Sequence, residues 1–75
     1  MTTIDLDVRG LQPPEPLERV LEALDRIGAD DRIVVKFDRR PTPLYRILER
    51  NGCVHEEAQL DDAVFEVTIR RRTTP

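Results

Sequence analysis

The residues able to act as nucleophile, proton carrier or metal ligand are few: one cysteine, Cys53, and one histidine, His55. A thiol becomes reactive in an electropositive, partly exposed setting. Cys53 follows the helix-stopping pair Asn51-Gly52 and has neither a helix start nor a base beside it, so it reads as an inert thiol. His55 stands next to Glu56 and Glu57 in a polar stretch and reads as a surface histidine. One thiol and one imidazole make no internal disulfide and no zinc site. Asp61-Asp62 lies between two strand-like runs, where paired aspartates serve turns better than general acid–base work. No Ser-His-Asp spacing is present, and the residues predict no enzyme, no cofactor and no metal.

The remaining chemistry is charge. Arg9, Arg39 and Arg40 form one set, and Arg70-Arg71-Arg72 form a second that reads as a solvated strand end. With 36% charged residues of both signs and a net charge of -3, the chain has no overall attraction for nucleic acid. Its 75 residues allow one domain, with a core spanning about 4–71, and a chain of this size buries only about 60% of its unfolded surface. Lacking Trp and holding one Tyr and two Phe, that core must be aliphatic, which argues against a pocket for a flat cofactor. The first residues show no basic region followed by an apolar run, and no window approaches the ~18 apolar residues a membrane span needs, so neither export nor membrane insertion is expected. A cytoplasmic protein is expected, and the single free thiol fits a reducing compartment.

These side chains are positioned by elements that the pattern outlines. Ile4, Leu6 and Val8 alternate with Asp5, Asp7 and Arg9, a half-buried strand ended by Gly10. Leu17, Val20, Leu21, Leu24 and Ile27 fall at helical spacing, with Gly28 placed as the helix C-cap. Ile33, Val34, Val35 and Phe37 make a second strand, and Leu44, Ile47 and Leu48 a second helix stopped by Asn51-Gly52. Residues 53–60 and 63–71 predict a hairpin turning at Asp61-Asp62.

Pro14-Glu15-Pro16-Leu17-Glu18-Arg19-Val20-Leu21-Glu22 is echoed by Pro41-Thr42-Pro43-Leu44-Tyr45-Arg46-Ile47-Leu48-Glu49. Duplication and convergent helix-start chemistry both account for it. Proline suits a first helical turn, where its missing N–H has no intrahelical partner and its φ is already set. Right-handed crossovers would then bring both helix starts to one sheet edge and both helices to one face. The other face, with Lys36, Glu66, Thr68 and Arg70, is left open. The helix-start edge gathers Arg9, Gly10, Gln12, Pro13, Glu15, Arg39, Arg40 and Thr42, the candidate ligand- or partner-binding residues. Helix dipoles and unpaired N–H groups favour an anion there, whereas Glu15 and Asp38 offer internal partners for the same arginines.

Residues 6–17, from Leu6-Asp7-Val8-Arg9-Gly10-Leu11 to Pro13-Pro14-Glu15-Pro16-Leu17, resemble the opening signature of the TusA-like (SirA-like) sulfur carriers, in which Arg-Gly-Leu leads into Cys-Pro-x-Pro-Leu. The resemblance implies an α+β two-layer sandwich, β-α-β-α-β-β, with a mixed four-stranded sheet ordered 1-2-4-3 and both helices on one face. In that family the cysteine carries a persulfide and hands sulfur to docked proteins. Here its position is held by Pro13, so the chain is more similar to a Cys-less bacterial branch of unassigned function, over residues 4–71. If Pro14 opens the first helix, position 13 is its N-cap, where a thiolate would be stabilised. The expectation is a non-enzymatic binding module that docks a protein partner, with a small-anion or small-ligand binder as the alternative.

Overall fold

The computed structural model describes residues 2–72. Its elements run β1 (Thr3–Asp7), α1 (Glu15–Leu24), β2 (Arg32–Phe37), α2 (Thr42–Arg50), β3 (Cys53–Asp61) and β4 (Val64–Arg71). They form one sheet ordered β1-β2-β4-β3, with β1 parallel to β2 and the other pairings antiparallel. This is the α+β sandwich implied by the resemblance.

The alternation in the strands decides which residues meet the helices. On β2, Ile33, Val35 and Phe37 are buried and pair across the sheet with Ile69, Val67 and Phe65. Ile4 and Leu6 of β1 continue the same rows beside Ile33 and Val35. Val20 and Leu24 of α1 and Leu44 and Leu48 of α2 close over these rows in a single core cluster. The intervening rows form the open face: Lys36 opposite Glu66, Val34 opposite Thr68 and Arg32 opposite Arg70. Arg70 also meets Glu56 of β3 at 3.1 Å on this face.

Local chemistry corrects four expected boundaries. α1 ends at Leu24 with Asp25 as C-cap, ahead of Ile27 and Gly28. The last turn tightens, Arg26 N–H donating to Ala23 O, and the Gly28 N–H goes to the Asp31 carboxylate at 2.9 Å. Arg71 replaces the glycine cap: its guanidinium donates to Leu24 O at 2.6 Å and Ile27 O at 3.0 Å. Arg71 is thus a helix cap, and not part of a solvated strand end. At the other end, both helices begin one residue later than the proline motifs suggest. Pro14 and Pro41 are the N-caps, Glu15 and Thr42 the first helical residues, and Pro16 and Pro43 occupy the first turn. The hairpin turns one residue on from Asp61-Asp62, the Asp61 carboxylate accepting the Ala63 N–H at 2.8 Å. A register shift between Gln59 and Asp61 leaves Leu60 exposed.

α2 stops at Asn51 as its sequence indicates, Gly52 taking φ +69° just past the end. Gly10 does the equivalent work after β1. At φ +81° it closes the Val8–Leu11 turn and lends its N–H to the Asp38 carboxylate at 2.8 Å. A Cβ there would meet no atom within 4 Å, so the expected loss for Gly10→Ala is the backbone term alone, about 1–2 kcal/mol. Urea unfolding checks this; a neutral effect would mean that the turn relaxes freely.

Candidate functional site

The helix starts, the end of β1 and the β2–α2 connection enclose a cleft of about 270 Å³. Pro13, Pro14 and Pro16 line it from the α1 side, and Pro41 and Pro43 from the α2 side. Leu17 and Leu44, equivalent positions of the echoed motif, reach into it together with Leu11 and Phe37. Asp38, Arg39 and Arg40 supply the charged lining. Of the residues expected at this edge, Pro13, Arg39 and Arg40 therefore share one site. Thr42 lines a separate, more open depression with Arg46 and Arg50. Gln12 and Glu15 are exposed, and Arg9 and Gly10 serve the turn after β1.

Part of the helix-start chemistry is already used within the chain. The Glu15 N–H donates to Gln12 O at 2.9 Å, Thr42 N–H to Arg40 O at 3.0 Å and Leu44 N–H to Pro41 O at 3.0 Å, while Pro16 and Pro43 have no N–H. Arg9 grips Asp7 with two side-chain hydrogen bonds of 2.8 and 2.7 Å, which hold that carboxyl down at about 2. Arg40 lies 3.3 Å from a Glu57 oxygen and 5.5 Å over the Phe65 ring. Arg39 alone is loosely held, 3.7 Å from Asp38 with its side chain 76% exposed.

Next to the cleft, a chain of contacts fixes Arg40. The Tyr45 hydroxyl donates to the second Glu57 oxygen, and the Tyr45 ring stacks on His55 at 4.2 Å and 7°. Burial, then the neighbouring Glu57 carboxylate, push the Tyr45 phenol well above its ordinary value, so it stays a donor. His55 is therefore half-buried under α2, where the sequence suggested a surface position. Cys53 is buried at the start of β3, which pairs Cys53 with Arg71, while the cleft lies beyond Phe37 at the other end of the sheet. Among the described residues, no cluster of His, Cys, Asp and Glu could hold a metal ion, and no helix is long and apolar enough to cross a membrane.

A family model described as "Uncharacterized conserved protein (DUF2249)" matches residues 5–71. The crystal structure of a SirA-like protein from Desulfitobacterium hafniense superposes with a TM-score of 0.79 at 32% identity, covering 97% of this chain and 100% of that one. The chain belongs to the SirA-like, DUF2249 family. No curated protein matches the sequence. In this SirA-like chain the cleft is lined by six residues of the stretch 6–17 that carried the resemblance, Val8, Leu11, Pro13, Pro14, Pro16 and Leu17. The charged residues of that edge were visible in the sequence. The apolar walls were not, although the repeated Pro-x-Pro-Leu had already placed Leu17 and Leu44 at matching helix starts.

Proposed function

We propose that this SirA-like domain is a non-catalytic docking module of a reducing cytoplasm that holds a protein partner in the proline-lined cleft. One observation carries the reading: where the sulfur carriers it resembles have their cysteine, Pro13 lines a cleft walled by aliphatic carbon, with no group on it free to attack or to move a proton. Its one carboxylate, Asp38, is engaged by the Gly10 N–H and by Arg39. A small-anion site is less well supported, because the helix-start N–H groups described above are bonded or replaced by proline. Apolar walls flanked by the charged Asp38, Arg39 and Arg40 match part of the anatomy of a protein contact, in which a buried anchor meets a polar rim.

The test is a selection of random peptides on the folded domain, scored against Pro16→Arg, which drops a long charged chain into the cleft at a helix position that tolerates arginine. Selected peptides should bind the variant at least about tenfold more weakly, the loss of one anchor contact, and should shift the amides of Leu11, Leu17 and Leu44. Equal binding to both proteins, or shifts confined to the open face around Lys36 and Thr68, would remove the cleft from the reading.

A further inference from the structure

Resting on that docking reading, we infer that the partner segment seats one large apolar side chain in the cleft and carries an acidic residue beside it, over Arg39. The volume argues for a single anchor. At about 270 Å³ the cleft falls just under the ~300–1,000 Å³ range of sites that enclose whole small molecules. Leu11, Leu17, Phe37 and Leu44 offer that anchor contact on several sides. The charge argues for the flank. Of the cleft's three ionic residues, Asp38 is satisfied by the Gly10 N–H at 2.8 Å, and Arg40 is shared between Glu57 and the Phe65 ring. Arg39 keeps only its 3.7 Å contact with Asp38, the longest of the ion pairs among the described residues, and stays in water. A guanidinium fork with spare donors at the rim of an apolar cavity is matched by a carboxylate that approaches as the anchor seats. α1 carries Glu15 and Glu18 in its first turn, so the acidic flank must lie toward the β2–α2 connection.

The experiment exploits the absence of Trp from the chain, which makes a peptide's own Trp fluorescence a background-free signal. The probes are Ac-Gly-Trp-Glu-Glu-Gly-NH2, its Lys-Lys counterpart, the acidic peptide with Gly in place of Trp, indole-3-propionate and inorganic phosphate, each titrated into the folded domain with amide shifts recorded in parallel. The acidic Trp peptide should bind about fivefold more tightly than the basic one at low salt. That ratio should fall toward one at 1 M salt, where screening acts over about 3 Å. Arg39→Glu, an exposed change that leaves the core alone, should reverse the preference. Equal affinity of the two Trp peptides, both shifting Leu17 and Leu44, overturns the acidic flank and leaves docking in place. No cleft shift with either Trp peptide at millimolar concentration overturns docking as well. Phosphate or the Trp-less acidic peptide matching the acidic Trp peptide removes the apolar anchor, and indole-3-propionate binding as tightly as that peptide removes the protein segment as its source.

Discussion

Arg71→Ala should destabilise the domain by about 3 kcal/mol, with the nearby arginines nearly silent. Helices leave their last carbonyls without intrahelical partners, and a cation at the C-terminal end also meets the negative end of the helix dipole. Arg71 answers both needs for α1 at Leu24 O, which it reaches from the far end of β4 at 2.6 Å, and it also holds Ile27 O of the loop that follows at 3.0 Å. Hydrogen bonds from a charged donor contribute about 1.5–3 kcal/mol each, and partial access of water to the freed carbonyls brings the pair below the simple total. The loss is large against the roughly 4–11 kcal/mol expected for a domain of this length. Arg71→Lys should recover about half, since an ammonium cannot span both carbonyls as the fork does. Arg70 forms an exposed pair with Glu56, so Arg70→Ala should stay within about 1 kcal/mol. Exposed Arg72 should stay within about 0.5 kcal/mol. Urea midpoints at constant slope measure all four, and similar values for the three alanine variants would show that the cap contributes nothing.

The same arginine shows why the end of α1 was not legible. Gly28 follows an apolar run at helical spacing and has the look of a cap, but the capping group comes from 44 and 47 residues away. Periodicity sees neighbours in sequence only. The strands were legible for the same reason: Ile33, Val35, Phe37 and Val67, Ile69 alternate along one face, and burial of that face is what the pattern encodes. β3 resisted because its helix-facing row passes from the buried Cys53 to the polar His55 and Glu57, whose cover comes from Tyr45 and Arg40. The sheet order followed from the family resemblance, which the 1-2-4-3 arrangement bears out. At the cleft, charged residues stood out in the chain, yet Arg9 and Arg40 are engaged internally. What distinguishes the cavity is carbon, gathered from two helix starts that only the fold brings together.

Moving the thiol from position 53 to position 13 should raise its alkylation rate by orders of magnitude while leaving its pKa near that of free cysteine. Cys53 is 1% exposed, and iodoacetamide reaches it only when the end of β3 opens. Opening free energies of about 3–5 kcal/mol protect it by roughly 10²–10⁴-fold relative to the unfolded chain. In Pro13→Cys/Cys53→Ala the sulfur occupies an exposed position at the mouth of the cleft and needs no opening. The sequence alone placed this position at the N-cap, where a thiolate would be stabilised. The fold puts it one residue earlier, because Pro14 is the cap. The first N–H beyond the cap, that of Glu15, is already given to Gln12 O, and the next residue is Pro16. The α1 dipole and the guanidinium groups of Arg39 and Arg40 draw the pKa down, while the apolar walls and the Glu15 carboxylate push it up. With these contributions opposed and the nearest helix-start N–H already bonded, the thiol should titrate within about half a unit of 8.5. The pH dependence of the alkylation rate reads this directly. A value below about 7.5 would mean that the helix start stabilises anions after all, and that one substitution suffices to give this domain the activated thiol that a sulfur carrier requires.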